Sequence, residues 1–556
     1  MLHLCGLFLI LLAATATAQT GEGLLLTTVP PKPVRIPAEF EPMQAVVVDW
    51  IMMRNADFYR YIAEDVRLIL LYNSADMYEQ IRTELPTYGV DMNNCDLYEV
   101  SNLPYTPRDF IPWFEFVDYN KPAFVFNEGG TPKYGVAQGY TVYNGSLALQ
   151  GGDFMTDGQG AAVSFLEWIT TWHTSMGIDF MSRVRDYWGI HTYHLISNPE
   201  VKNVKIPPHI DCLAKFLSPD TILVVRYPSS NALYERTEAA ATYFNRQVSC
   251  YGTPYKVLRL DVGSHGDPYI NSLIVNRRVF VPIEDSDTDA GALATYRAAM
   301  PGYEVIGINN YDSSGYYMWM TFWALHCDTM GIADEKMLYI KHIPLLDRPP
   351  ASAGFPIHAE IAAFSGTEFV DGTPVVLWRT LSDANESWST VAMARDTESG
   401  NHQYLAYIPA QPVGTVVQYY IEAKDASGRD ETHPYIGEPQ AHAFTVTTLG
   451  ANVSAVSAKK GGTVELYINA GADDAQRPYR LAYSVITDAN ATEVLPETTV
   501  LTGFDGVLDD LGIALARLTF PEPLASEWVG RSLRFSLELD DQQSAVSDTV
   551  SIQILE

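Results

Sequence analysis

Several things are scarce in this sequence, and each shortage removes a class of protein. Basic residues come first: 36 Lys and Arg stand against 67 Asp and Glu, a net charge of −31. A nucleic-acid backbone needs a basic face, so no nucleic-acid partner is expected. A field of this sign steers cations inward and also keeps a chain soluble. Cysteine is next: five in 556 residues, with no C-x-x-C, exclude a disulfide scaffold and a thiolate zinc cluster. Beyond the N-terminus no apolar run approaches the ~20 residues of a membrane-crossing helix, so no span is expected. The chain also lacks G-x-S-x-G, H-E-x-x-H, a Walker loop and a G-x-G-x-x-G after a strand. With 47% apolar residues, what remains is a folded multidomain protein.

Leu4 to Ala14 is nearly continuous apolar sequence, followed by Ala16-Thr17-Ala18, the small-residue pattern of a cleavage site. Residues 1–18 are expected to be a signal peptide, and the mature protein to be exported, periplasmic or extracellular. After a Pro-containing lead-in the texture alternates. Ala45–Val48, Leu68–Leu71, Thr221–Val225, Ser272–Val275 and Val279–Pro282 read as strands; Ala56–Ala63, Ala161–Met176 and Ala290–Met300 read as helices. Alternation predicts an α/β domain over 35–347. Arg348-Pro-Pro-Ala-Ser-Ala-Gly354 reads as a linker. Beyond it only strands and turns follow, predicting an immunoglobulin-like sandwich over 352–447 and a second β domain over 449–556. Asp285-Ser-Asp-Thr-Asp289 opens like a calcium loop, but Tyr296 stands where a bidentate Glu is required. Asp289 is expected instead to cap the following helix.

Four segments carry candidate chemistry. Arg108-Asp109 lies among aromatics. Gly151-Gly-Asp153-Phe-Met-Thr-Asp157-Gly-Gln-Gly160 has glycines that permit close backbone approach or a simple turn. In His209-Ile-Asp211, positions i and i+2 share a face if the segment is extended, suiting a metal, a base with its orienter, or a cation. The last, Leu325-His326-Cys327, ends an aromatic run; on a strand His326 and Cys327 would face opposite ways, leaving His209 the better base for Cys327. Two acids, a histidine and a thiol together suit attack on a cationic guanidinium, which carboxylates hold by forked hydrogen bonds. The thiolate then draws stability from a neighbouring cation, and no metal or other cofactor is required.

In order and spacing these segments resemble the guanidino-group-modifying (pentein) superfamily, and within it the bacterial secreted peptidylarginine deiminases, with agmatine deiminases as a sister family. Tyr269–Ile274, Val279–Pro282, Ala299–Glu304 and Leu338–His342 add to the likeness, and so does Tyr419–Arg429 in the sandwich. The resemblance implies a five-bladed, pseudo-fivefold α/β propeller with the site at its centre. It implies Cys327 as nucleophile, forming a covalent thiouronium. Asp109 and Asp211 would be the guanidinium acceptors, His209 the acid and base, and Asn271 a polar contact. Arg108, Asp153 and Asp157 are expected near the substrate, and Cys95, Cys212 and Cys250 as buried free thiols. The implied substrates are arginine-containing peptides or proteins, converted to citrulline and ammonia.

Three departures matter. Thr106 stands where the family pattern has a Trp, with Tyr105 as a substitute; Asp153 replaces an Asn; and Glu128-Gly129-Gly130 stands in place of an Arg-x-Arg carboxylate clamp. Loss of that clamp predicts a weakened preference for C-terminal arginine, Lys133 being the nearest cation. The alternatives are an agmatine or free-arginine deiminase, a cysteine peptidase using Ser264-His265-Gly266, and a catalytically impaired secreted binding protein.

Overall fold

The computed structural model describes residues 23–556 except 51–53, 101–105, 128–132, 168, 171–178, 199–207, 264–265, 312–314, 316, 320–322, 382–386, 487–494, 496–498 and 540–547. The expected signal peptide, Tyr105, Glu128–Gly130 and the Ser264-His265 pair therefore lie outside the described residues.

The first part is mixed α/β and contains five short sheets that repeat one pattern. Two strands pair antiparallel, and a third adds parallel to the second. The sets are Trp113–Val117, Lys121–Phe126 and Thr141–Asn144; Met155–Thr156, Ala161–Phe165 and Thr192–Ile196; Ala214–Ser218, Thr221–Arg226 and Lys256–Asp261; and Leu273–Val275, Arg278–Ile283 and Glu304–Asn309. In the fifth, the late strand Thr329–Ala333 pairs antiparallel with the early Met43–Asp49, which takes Arg67–Tyr72 alongside in parallel. A parallel neighbour cannot be reached by a hairpin, so each needs a crossover. The helices Ala56–Asp65, Lys133–Ala137, Phe180–Trp188, Tyr234–Phe244 and Asp289–Ala299 lie in these crossovers.

Local chemistry fixes the helix starts. Asn55 accepts the Phe58 N–H at 2.9 Å, and Phe58, Tyr59, Ile62 and Ala63 form the buried face behind it. Asp289 does not act as the expected cap. It is the first helical residue, and its carboxylate turns back to the Ser286 N–H (3.0 Å) and the Tyr269 hydroxyl (2.7 Å). The helix expected over Ala161–Met176 is corrected at its start: Ala161–Phe165 is a strand, buried at every position, and helix begins at Leu166. Burial on both faces erases the period that separates strand from helix.

Past residue 337 the described residues form strands and loops, apart from single 3₁₀ turns. Leu338–Lys341 leaves the α/β sheets and pairs with Phe355–Ala363, in a sheet completed by Gln403–Ile408 and Ala394–Arg395. It faces a second antiparallel sheet built on Val375–Thr380 and Val416–Lys424, and Phe355, Ile357, Val376, Tyr419 and Ile421 fill the space between. A further pair of sheets carries Gly462–Asn469 with Ile513–Phe520 and Pro478–Ile486 with Ser532–Leu539. This last module docks on the α/β part through Gly252, whose carbonyl accepts the Ser454 and Ala455 N–H groups at 3.0 and 3.1 Å.

A cavity of about 850 Å³ separates the α/β part from the sandwich. His433 and His442 line it and touch at 3.0 Å, while His342 behind them meets the Tyr419 hydroxyl at 2.9 Å. At the same junction Arg429 forks onto Asp334 at 2.6 and 2.7 Å. Among the described residues no helix is long and apolar enough to cross a membrane.

Candidate active site

Four connections between the α/β sheets meet in one place: the short helix Pro107–Phe110, the 3₁₀ turns Gly151–Asp153 and Ile210–Cys212, and the turn before Thr329–Ala333. Short connections end where strands end, so side chains from remote segments converge there. His209 and Asp211 lie on the turn Ile210–Cys212 and its N-cap, not on the expected extended strand, and Cys327 lies in a turn rather than on a strand. Convergence here comes from turn geometry, not from strand alternation.

Cys327 is 5% exposed. Its sulfur lies 3.6 Å from Asp211 Oδ2, and Asn271 Nδ2 approaches it at 3.4 Å. The Asn271 Oδ1 accepts the N–H groups of Ala324, His326 and Cys327 at 3.1, 3.1 and 3.2 Å, so one side chain holds the whole nucleophile turn. Across from it, Asp109 Oδ1 accepts the Gly152 N–H at 2.9 Å and faces His209 Nδ1 at 3.7 Å. The other ring nitrogen of His209 lies 2.5 Å from Gln150 Oε1. An amide oxygen only accepts, so Nε2 carries a hydrogen and Nδ1 is the nitrogen aimed at Asp109 and the site.

The paired glycines have a steric reason. A Cβ on Gly151 would lie 1.8 Å from the Arg108 carbonyl oxygen; one on Gly152 would lie 2.5 Å from His209 Nδ1 and 3.1 Å from Asp211 Oδ2. Gly152 is therefore the opening that lets histidine and carboxylate approach each other.

Charge is distributed unevenly around the thiol. Contact with the Cys212 thiol lowers the Cys327 pKa, but burial and the carboxylates of Asp211, Asp109 and Asp328 outweigh it, and the thiol is pushed up to about 11. The site without substrate thus holds a protonated thiol, and a bound cation is what would release its proton. Burial raises the Asp211 pKa, yet hydrogen bonding and charge from His326, with His209, hold it below the ordinary range.

Of the residues expected at the substrate, Asn271 touches the Cys327 sulfur. The others have different partners. Arg108 stands behind the turn, its Nε donating to the His326 carbonyl at 3.2 Å and its Nη2 3.5 Å from Glu39. Asp153 is fully buried, accepts the Phe165 and Ile210 N–H groups at 3.1 Å, and is driven well above the carboxylate range by burial. It braces the His209–Asp211 segment. Asp157 accepts the Gln159 and Ala161 N–H groups, both at 2.8 Å, within the Gly158 turn; burial lifts it to about 7. The contacts of these three are with protein groups.

Cys95, Cys212, Cys250 and Cys327 are all thiols; Cys95 and Cys212 are buried and Cys250 is half-buried. Cys212 contacts Cys327 and donates to Asp211 Oδ1 at 3.3 Å. Sequence reasoning also missed Gln150, Glu39, Lys215 and the role of His326. Cys212 adjoins the H-x-D segment and Gln150 precedes the glycine pair, so adjacency was the one available signal. Glu39 and Lys215 carry none. Glu39, Arg108, Lys215 and His326 line a cavity of about 70 Å³ beside the nucleophile turn. Among the described residues no cluster of His, Cys, Asp and Glu is arranged to hold a metal ion.

A family model for Porphyromonas-type peptidyl-arginine deiminases matches residues 35–332, more than half of the chain. A putative agmatine deiminase of Yersinia pestis is 24% identical over 195 residues, 30% of this chain and 53% of that protein. One from Vibrio parahaemolyticus is 25% identical over 199 residues, 31% and 55% respectively. The chain spans about half the length of the curated relatives it matches. Similar solved structures include the putative arginine deiminase from Porphyromonas gingivalis, at 21% identity with a TM-score of 0.45, covering 55% of this chain and 99% of that one. The agmatine deiminase of Enterococcus faecalis is 18% identical with a TM-score of 0.46, covering 56% and 100%.

Proposed function

We propose, from the premise that the chain belongs to the Porphyromonas-type peptidyl-arginine deiminase family, that it hydrolyses the guanidinium of arginine residues in peptides or proteins, releasing citrulline and ammonia. The observation that carries this reading is the convergence of a buried thiol, two carboxylates and an oriented histidine on one small space. We read the five sheets as five blades around that space, and the protein as exported.

The substrate guanidinium sits between Asp109 and Asp211, whose oxygens accept its N–H groups. Its charge brings down the raised pKa of Cys327, so thiolate forms where the electrophilic carbon is presented. Sulfur attacks that carbon to give a tetrahedral intermediate. His209, holding at Nδ1 the proton that Cys327 gave up, passes it to the departing nitrogen; the C–N bond breaks, ammonia leaves and an S-alkylthiouronium remains. Water, deprotonated by the same nitrogen, adds to the carbon; the C–S bond breaks, and the ureido group of citrulline and the thiol are restored.

Asp153 bears on substrate size. Its side chain is fully buried and turned to the Phe165 and Ile210 amides, away from a second amine such as that of agmatine. This supports the peptidyl substrate over the small one. The sequence at 128–130 supports a weakened preference for a C-terminal carboxylate.

The test is citrulline and ammonia formation from a peptide with internal arginine, its C-terminal-arginine counterpart, and agmatine, with Cys327→Ala as blank. Citrulline from either peptide, lost in the variant, is the expected result. Turnover of agmatine alone makes the protein a small-molecule deiminase. Silence on all three favours an impaired binding protein and makes Thr106 the first residue to replace by Trp.

A further inference from the structure

The ring of His326 lies between two carboxylates. Nδ1 is 2.8 Å from Asp211 Oδ2, Nε2 is 2.6 Å from Glu39 Oε2, and the side chain is 2% exposed. An ionised carboxylate only accepts, so each ring nitrogen must supply a hydrogen and the ring is an imidazolium. Glu39 is anchored independently by Lys215 Nζ at 2.9 Å and the Ile274 N–H at 2.8 Å. The backbone completes the arrangement, since the Arg108 N–H donates to the Cys327 carbonyl at 3.3 Å and Arg108 Nε to that of His326.

From this we infer that His326 is a positioning residue for the deiminase reaction: a buried cation that keeps the Asp211 carboxylate ionised and turned to Cys327, with Glu39 fixing the ring from behind. The inference rests on the reading of Cys327 as nucleophile and Asp211 as guanidinium acceptor.

Charge balance carries the argument further. The carboxylates of Glu39, Asp109 and Asp211 face the cations of Arg108, Lys215 and His326, three against three. Burial drives Asp153 and Asp328, also close, well above the carboxylate range, toward their uncharged forms. His209 approaches Asp109 from the far side, and the Cys212 and Cys327 thiols are protonated in the free site. Removing the His326 charge leaves one negative charge uncompensated in a buried space. The ready relief is a proton on Asp211, which has just lost its ring donor. A neutral Asp211 no longer attracts a guanidinium.

The test uses two alkylating agents on the full chain. Chloroacetamidine carries a cationic amidine resembling the guanidinium head; iodoacetamide is neutral. Dividing their inactivation rates for Cys327 cancels thiol ionisation and leaves the attraction of the site for a cation. The ratio is measured from about pH 5 to 9 for the wild type, His326→Asn and Glu39→Gln, with circular dichroism to establish folding. A tenfold change per pH unit is the slope of one lost carboxylate. In the wild type the ratio should be large and level. In His326→Asn the ratio should fall on the acid side within this range, and in Glu39→Gln in the same direction by less. If His326→Asn does not fold, Glu39→Gln decides. A ring that only fills space would leave both ratios level, and superimposable profiles from folded variants would overturn the proposal. So would a wild-type ratio near one, which would remove the acceptor reading beneath it. Absence of citrulline from every peptide, with the ratio intact, would sink only the choice of substrate.

Discussion

Two buried polar clusters in this molecule solve the same problem in opposite ways. Beneath Cys327, charges are buried in compensating pairs: Glu39 with Lys215, and His326 with both Glu39 and Asp211. At the junction with the sandwich, the buried His342 packs against the half-buried His433 and His442, and desolvation depresses all three pKa values, to about 4 for His342 and about 3 for His433. A charge in low dielectric needs either a partner or removal by proton loss. The site that must bind a cation keeps its charges; the joint that only holds parts together discards them.

The sharpest break of this comparison is removal of the reacting groups on the charged side. Cys327→Ala should abolish citrulline formation, and Asp211→Asn should reduce kcat/KM by on the order of 10³-fold or more. Residual activity near wild type in Asp211→Asn would remove that carboxylate from the guanidinium site. Next in size is Gly152→Ala, whose methyl would lie 2.5 Å from His209 Nδ1. It should cost roughly 10²-fold in kcat/KM while the thermal midpoint shifts little, because a small displacement of a catalytic group is enough.

On the neutral side the readout is stability against pH. A histidine with a depressed native pKa contributes stability that is fully present above its unfolded value near 6.5. As pH falls below 6.5 the unfolded chain takes up the proton first, and the contribution is lost as pH approaches the native values, about 4 for His342 and about 3 for His433. Each such group contributes a slope of about 1.4 kcal/mol per pH unit. His433→Gln should flatten the dependence of the urea midpoint between pH 6 and 4; an unchanged slope would show that the cluster takes no part.

A smaller effect concerns the thiols. Without substrate, iodoacetamide alkylation of Cys327 should rise toward a midpoint near pH 11. Cys212→Ala removes the contact that lowers that midpoint and should slow alkylation several-fold at mildly alkaline pH. Faster alkylation would reverse the assigned sign. Smallest is Arg429→Ala. The fork to Asp334 is partly exposed, with 25% and 15% of the two side chains accessible. Its loss should cost about 1 kcal/mol by denaturant titration and leave citrulline formation unchanged.

Much of the site was legible because its reactive residue types sit in short, distinctive strings. Asp109, His209, Asp211 and Cys327 could be named from R-D, H-x-D and H-C, and the structure brings them to one space. The strands at Ala45–Val48 and Thr221–Val225 were visible as short, bounded apolar runs and the helix at Ala56–Ala63 in its period; the strand Ala161–Phe165 was not, since its apolar run continues without a break into the helical residues that follow. Asp153 and Asp157 face backbone amides beside glycine turns, a placement that no local pattern distinguishes from one toward a substrate.

The sequence by itself determined the chemistry available, the alternation of strand and helix, and the change to an all-β texture after residue 348. These are properties of neighbours along the chain, and residue type and spacing express them. Tertiary structure alone decided that Glu39 and Lys215 stand beside His326, and that Cys212 touches Cys327. Glu39 and His326 are 287 residues apart in the chain. Which charges end up paired, and hence which side chains are ionised, follows from burial and distance, and no local pattern encodes either.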